Sequence, residues 1–290
     1  MQNMNLIIQG LNAVLAQQAA TIQSIAQMSG AEKIVPINAK AVRLENVQCD
    51  TKILQAIQEL CLVEQLDVYH GQTRQLSDFK LVAMDMDSTL ITIECIDEIA
   101  DMQGLKPQVA EITEAAMRGE IEFQESLIRR VGLLKGLEAS ALQKVYDQRL
   151  HLSLGAENML KQVQAAGLKT LLVSGGFTFF TDRMKSRLNL DYTHANVLEI
   201  VDDKLTGKVI GTIVDADEKK RTVEKVCAEL GINPQQTIVM GDGANDLKMM
   251  GIAGLSVAFR AKPVVRAQAN VALNFVGLDG VLNILTGSPS

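Results

Sequence analysis

The sequence predicts an α/β protein: a parallel-sheet core interrupted after its first strand by an inserted helical cap, preceded by a small ferredoxin-like α+β domain. Three observations predict it. Beyond Phe79, short apolar runs alternate with helical patterns, the signature of a parallel sheet with crossover helices. The stretch from about Glu94 to Glu157 contains helical patterns and no strand, so it interrupts the sheet rather than extending it. Residues 1–78 read β-α-β-β-α-β, the order of a sandwich in which two helices cover one face of an antiparallel sheet.

Taken in order, NLIIQ reads as a strand and Ala13 to Met28 as a helix with apolar residues at helical spacing. IVPIN and AVRLENV give two further strands. Ile53, Ile57, Leu60 and Cys61 recur at three- and four-residue spacing, which predicts a helix from about Lys52 to Gln65, and LDVYH closes the unit. The polar HGQTRQLSD is the expected linker. In the core, KLVAMD, KTLLVS, TIVMGD and LSVAF are strand-like, each bounded by helix-like or turn-like sequence. The expected division is 1–78 for the N-terminal domain, 79–93 with 158–290 for the core, and 94–157 for the cap. Three of the four core strands end in a residue with chemistry: Asp85, Ser174 and Asp242. In open α/β sheets, ligands bind outside the carboxyl ends of the strands, where loops and the positive ends of helices gather. Topology therefore predicts that these three side chains converge.

Composition narrows the function classes. With 290 residues, 47% of them hydrophobic, the chain can bury the cores of about two domains. A formal net charge of -6, with both signs mixed throughout, leaves no basic stripe to track a phosphate backbone, so nucleic acid is not an expected partner. Cys49, Cys61, Cys95 and Cys227 lie far apart, form no CxxC pair, and three of them sit in apolar surroundings. Reduced structural thiols and a cytoplasmic location are expected. The start MQNMNLIIQGLNAVLA lacks the features of a signal peptide, and no apolar run approaches the ~20 residues that span a bilayer. No membrane partner is expected.

Asp85, Asp87 and Asp242, gathered at one sheet edge, would repel one another unless a cation sat between them. Oxygen-only ligands favour a hard cation, and Mg²⁺, which keeps several waters and is held by one or two carboxylates, suits so sparse a set. A calcium loop counted from Asp85 needs glycine at its sixth position and glutamate at its twelfth, but the chain has Leu90 and Ile96 there. GDGAND also departs from the dinucleotide fingerprint, with Asp246 where the third glycine belongs.

DMDST at 85–89, VSGG at 173–176, a lysine near 219 and GDGAND at 241–246 occur in that order. Together they resemble the four motifs of the haloacid dehalogenase superfamily of phosphatases, whose core is a Rossmann-like parallel sheet. ECIDEIA after the first motif, FQESLIRRVGLLKGL in the cap and AFRAKP after the last strand extend the resemblance over essentially all of 79–290, to the phosphoserine phosphatase family. The resemblance implies that Asp85 is a nucleophile forming an aspartyl-phosphate, and that Asp87 acts first as general acid and then as base. It implies one Mg²⁺ per active site, held by Asp85, the backbone carbonyl of Asp87 and Asp242, with Asp246 supporting the shell. Ser174, Gly175 and Asn245 would bind the substrate and Lys219 would place an ammonium beside the phosphoryl oxygens, with Lys220 as the alternative.

Selectivity is implied to lie on the cap side. Glu94 would take the substrate amine, Arg130 (with Arg129 as the alternative) its carboxylate, and Phe123 would cover its backbone. The reaction so implied is hydrolysis of O-phospho-L-serine to L-serine and phosphate, the last step of serine biosynthesis. A phosphotransferase or broader small-phosphate phosphatase, and an amino-acid sensor with a relic core, are the competing readings. Residues 1–78 resemble an ACT domain, which implies regulation by an amino acid such as L-serine; of the glycine-rich turn of such domains, IIQGLNAVL keeps only Gly10. A sandwich with one uncovered sheet face tends to find a partner, and a second copy, giving a homodimer through this domain, is the expected one. His70, His151 and His194 match no motif.

Overall fold

The computed structural model describes residues 4–118 and 120–287; Gly119 and the outermost residues of the two expected end domains, 1–3 and 288–290, lie outside the described residues. The N-terminal unit runs β1 (Met4–Gln9), α1 (Val14–Gln17), α2 (Ala19–Ser29), β2 (Lys33–Asn38), β3 (Ala41–Glu45), α3 (Thr51–Val63), β4 (Asp67–Gln72) and the short β5 (Arg74–Gln75). Its antiparallel sheet has the order β2-β3-β1-β4, the expected sandwich. The helix predicted over 13–28 breaks at Gln18, whose side chain instead donates to the carbonyl of Glu64 at 2.7 Å. Asp50 caps α3 by accepting from the N–H of Ile53 at 2.8 Å. Strand alternation sends Leu6 and Ile8 toward the helices, to pack with Ile22, Ile25 and Ile57.

The second unit begins with β6 (Leu81–Met84). The cap follows as α4 (Cys95–Asp101), α5 (Lys106–Met117), α6 (Phe123–Leu133) and α7 (Ser140–Gln148). The core resumes with α8 (Ala156–Ala165), β7 (Lys169–Phe177), α9 (Thr178–Leu188), β8 (Tyr192–Val201), β9 (Lys204–Ile210) and α10 (Ala216–Leu230). It closes with β10 (Thr237–Gly241), α11 (Leu247–Met250), β11 (Leu255–Phe259), α12 (Pro263–Arg266), β12 (Val271–Leu273) and β13 (Leu285–Thr286).

The main sheet has the order β12-β11-β10-β6-β7-β8-β9, parallel except for the antiparallel β8–β9 pair. The four strands legible in the sequence are its centre. The chain leaves β6 toward β7 on one side and later returns to β10 on the other, so the switch point falls between β6 and β10. Asp85 and Asp242 stand there.

A narrow neck joins cap to core. Thr92 donates its N–H to the carbonyl of His151 at 2.9 Å, and Ser153 to that of Leu90 at 3.0 Å, so the cap enters and leaves through adjacent extended segments. The unforeseen β8–β9 hairpin is the cap's second seat: Gly136 donates to Leu205, Leu205 to Leu137 and Ala139 to Asp203, at 2.7–2.8 Å.

The docking of the N-terminal unit corrects two expectations. HGQTRQLSD is not a loose linker, because His70–Gln72 belongs to β4 and β5 pairs with β13. The sheet face expected to be uncovered is covered by the core of the same chain, where Ile7 and Tyr69 join the main apolar cluster with Phe79 and Val276. Asp67, 2% exposed, accepts from three successive N–H groups, those of Asn274 (2.8 Å), Phe275 and Val276 (both 3.0 Å). Burial raises its carboxyl group, and those three donors pull the other way. The Arg74 guanidinium bonds the carbonyl of Gly254 and lies over the Phe79 ring at 4.6 Å. A polar segment reads as a linker in sequence, yet here its polar groups are hydrogen-bonding partners for the core. Asp67→Ala is therefore expected to cost about 2–4 kcal/mol, since it strands buried donors. A denaturant midpoint unchanged from the parent protein would show that the docking does not depend on this carboxylate.

Candidate active site

The site is assembled from strand ends. Asp85 follows β6, Ser174–Gly176 end β7, Asp242 follows β10, and Lys219 lies in the first turns of α10. Asp85 is 5% exposed, and its Oδ1 accepts from the N–H of Met86 (2.7 Å) and from Lys219 Nζ (2.8 Å). Lys219, wholly buried, also donates to Asp246 Oδ1 at 2.7 Å. Burial opposes its charge, but Asp246 and Asp85 more than compensate and raise its pKa, so the ammonium is retained. Lys220 turns outward to Glu224 at 3.7 Å. The structure thus places Lys219, and not its neighbour, beside Asp85.

Asp246 is fully buried and holds the loop that carries Asp242. Its Oδ2 accepts from the N–H groups of Gly243 (3.0 Å) and Asp242 (3.2 Å). A Cβ at Gly241 would meet that same oxygen at 2.4 Å, which explains the glycine. Carboxylate oxygens of Asp85, Asp242 and Asp246 lie within 4.8 Å of one another. Burial, then Asp246, raises the pKa of Asp85 well above the usual carboxylate range against the pull of Lys219; burial, Asp246 and Glu94 push Asp242 up to about 7. Such shifts mark carboxylates gathered with too little positive charge, and a bound cation inverts them.

A hard divalent cation fits this donor set. Both oxygens of Asp246 are occupied by donors, and Thr89 Oγ1 donates to Asp242 Oδ1 at 3.1 Å. Asp85 Oδ2 and Asp242 Oδ2 accept from no donor among the described residues. Two carboxylate oxygens with room for water are what Mg²⁺ takes. Asp246 stands behind them.

Asp87 opens toward the cavity. Its Oδ1 accepts from the N–H of Cys95 at 3.1 Å, and burial followed by the field of Glu94 pushes it up to about 7. A carboxyl group raised in this way is suited to hold and release a proton near neutral pH. Ser88, with left-handed backbone (φ 55), makes the sharp turn after Asp87 and donates its hydroxyl to Glu94 Oε1 at 2.6 Å. Glu94 faces the cavity with its side chain reached by solvent, and the surrounding protein raises its carboxyl group.

The cavity, of about 780 Å³, has Asp85, Asp87 and Asp242 at its base and Glu94, Phe123 and Arg130 toward the cap. Gly175, Gly176 and Asn245 line its wall. Arg130 is half-buried, whereas Arg129 points outward to Glu125 at 2.5 Å. Phe123 Cζ would stand 3.3 Å from a Cβ at Gly175, so the ring closes over that glycine. Ser174 is buried beside Gly175 and Gly176, and its Oγ accepts from the N–H of Gly176 at 2.8 Å.

Several participants escaped the motifs. Asn196, fully buried, donates to the carbonyl of Gly175 (2.7 Å) and accepts from the N–H of Val214 (2.9 Å), fixing the backbone at which an anion would dock. It sits on β8, which sequence patterning did not resolve. Gln124 donates to Asp215 Oδ2 at 2.8 Å and ties cap to core at the mouth. Gly176, where a Cβ would lie 2.6 Å from Asp87 Oδ2, was legible only as part of VSGG.

The arrangement offers a carboxylate beside a buried ammonium, a second carboxylate poised to exchange a proton, and a pocket with one acid and one guanidinium at its far end. Comparison with known proteins agrees with that chemistry. The family of haloacid dehalogenase-like hydrolases matches residues 79–254. A phosphoserine phosphatase of Polaromonas sp. is 57% identical over 216 residues, 73% of this chain and 92% of that protein. A crystal structure of a probable phosphoserine phosphatase from Vibrio cholerae superimposes with TM-score 0.82 at 35% identity, covering 98% of this chain and 86% of that one. A haloacid dehalogenase family hydrolase from Salmonella enterica serovar Typhi covers 99% of both chains with TM-score 0.87 at 32% identity. Fold, site and relatives agree: the chain belongs to the haloacid dehalogenase-like hydrolases and, within them, to the phosphoserine phosphatase family.

Proposed function

We propose that the chain hydrolyses O-phospho-L-serine to L-serine and phosphate, with Asp85 as nucleophile and Asp87 as the proton carrier. The observation that carries this reading is that Glu94 and Arg130 open onto the same cavity as Asp85. An acid for an ammonium, a guanidinium for a carboxylate and a phosphate-facing base match the three charged groups of phosphoserine.

In the first half-reaction an Asp85 carboxylate oxygen attacks phosphorus. The bond from phosphorus to the serine oxygen breaks, and the Asp87 proton passes to that leaving oxygen. In the second, Asp87 takes a proton from water, the water oxygen attacks phosphorus, and the bond to Asp85 breaks, releasing phosphate and restoring both aspartates. Lys219 holds Asp85 in place, and the backbone N–H of Gly175, with Ser174 and Asn245, would face the phosphoryl oxygens. Mg²⁺ between Asp85, Asp242 and the carbonyl of Asp87 would supply charge neutralisation for two anions that otherwise repel. Asp246 would orient that shell through the Asp242 loop.

The wild-type protein is expected to release phosphate from O-phospho-L-serine with Mg²⁺. Glu94→Gln and Arg130→Ala should each lower kcat/KM for it by roughly tenfold to a hundredfold, the value of one charge-assisted pair. Phosphoesters lacking the amine or the carboxylate should change far less. Equal losses on every substrate would remove the assignment of specificity to these two residues. Ca²⁺ as sole metal should fail to support turnover, because it favours bidentate carboxylates and would engage both oxygens of Asp85; turnover comparable to that with Mg²⁺ would overturn this.

We further assign the reaction to the last step of serine biosynthesis, in the cytoplasm. Free, mostly buried cysteines support the cytoplasmic placement; among the described residues no helix is long and apolar enough to cross a membrane. Residues 1–78 are read as an ACT-like regulatory domain with L-serine as the candidate effector. Any homodimer formed through it would use a surface other than the sheet face, which the core occupies.

A further inference from the structure

Lys262 has no role in the reaction as derived above, yet it lines the same cavity. Among the described residues the cavity presents seven carboxylate side chains against two cations, Arg130 and Lys262. Arg130 stands half-buried on α6 of the cap, in the fields of Asp97 and Glu94. Lys262 comes from the core, is exposed, and forms no ion pair among the described residues. Its backbone is held in place, since its N–H donates to the carbonyl of Asp242 at 3.1 Å. Two residues earlier Arg260 adopts left-handed backbone (φ 45) while donating its N–H to Leu273 at 2.8 Å. A non-glycine residue in that conformation is uncommon, and it turns the chain so that Lys262 reaches the cavity. The ammonium is close enough to Glu94 to offset the upward push on that carboxyl group.

We propose that Lys262 is a second carboxylate-binding residue, so that the α-carboxylate of the substrate is gripped by Arg130 from the cap and Lys262 from the core. The inference rests on the reading of phosphoserine as substrate. On that molecule the ammonium and the carboxylate share one carbon, so a cation near the Glu94 that takes the ammonium lies within reach of the carboxylate. A carboxylate held from both sides ties cap to core. A phosphoester without one leaves the two cations facing each other across an unbridged gap, which disfavours closure and adds discrimination that Arg130 alone does not supply.

The test compares the wild type, Lys262→Met and Lys262→Arg on O-phospho-L-serine and on phosphoethanolamine, which keeps the amine and phosphate but lacks the carboxylate. For Lys262→Met the expected result is a rise in KM for phosphoserine of about fivefold, the size of one solvent-accessible charge pair, with kcat within about twofold. That rise should shrink as salt is added. Phosphoethanolamine should lose nothing and should gain where the two cations no longer face each other, and Lys262→Arg should behave as the wild type on both. Calorimetry gives a readout apart from turnover: the variant should bind L-serine more weakly and inorganic phosphate as before. Equal losses on both substrates would reassign Lys262 to general attraction of anions, and no loss on either would leave it without a part in recognition; both outcomes overturn the proposal. A wild-type protein inactive on phosphoserine would instead remove the reading of function itself, and the carboxylate grip with it.

Discussion

Asp85→Asn is expected to lower phosphoserine turnover by at least about a thousandfold, or ~4 kcal/mol of barrier, while leaving the protein folded. The asparagine amide is nearly isosteric and can still accept from Met86 and Lys219, but it has no carboxylate with which to attack phosphorus. The effect on stability should have the opposite sign. Burial and the neighbouring Asp246 raise the pKa of Asp85, which means that its ionised form is disfavoured in the folded chain relative to the unfolded one. A neutral side chain removes that cost at pH 7. Without metal the variant should melt at the same temperature as the wild type or higher, and added Mg²⁺ should stabilise it less. Phosphate release and thermal melts with and without Mg²⁺ check both halves. Ordinary turnover in the variant would remove Asp85 from the nucleophile's role.

Lys219→Met should be the most destabilising single change at the site. The methionine side chain fills similar space but leaves Asp85 and Asp246 buried with no ammonium between them. Breaking a buried ion pair by removing one partner costs about 3–5 kcal/mol, because a charge is left uncompensated in a poor solvent for it. Against a total stability of about 5–15 kcal/mol this is a large fraction. Turnover should fall as well, since Asp85 loses the contact that holds it. The double variant Lys219→Met with Asp246→Asn should recover part of the stability without recovering turnover, separating the charge burial from the chemistry. A denaturant midpoint for Lys219→Met within about 1 kcal/mol of the wild type would contradict the pairing.

Much of this site was legible before folding. The central strands could be read because they are buried on both faces and carry nearly unbroken apolar runs, which few other elements do. Their carboxyl ends could be read because charge placed at the end of such a run has little structural reason to be there. Edge elements were harder. β8 and β9 are mostly half-buried or exposed, and β12 has three residues, so none of them gives an apolar run long enough to separate from its surroundings. Asn196 went unseen with β8, although two of its hydrogen bonds hold the Gly175 backbone. The break at Gln18 was invisible for a related reason, since the group that draws its side chain away lies 46 residues further along.

The sequence by itself determined the chemistry: which residue types stand at the strand ends, in what order, and with what spacing. It also determined the two-part architecture, because hydrophobic periodicity is a local property and changes visibly at Phe79. The tertiary structure decided between neighbours. Lys219 and Lys220, like Arg129 and Arg130, are adjacent on a helix and therefore point about 100° apart, so only the packing of that helix determines which one faces the site. It also decided how the two parts meet. Three consecutive N–H groups at 274–276 find their acceptor in Asp67, some two hundred residues away. Nothing local marks such a pairing, because an aspartate in a polar stretch has the same composition whether it faces water or three buried donors.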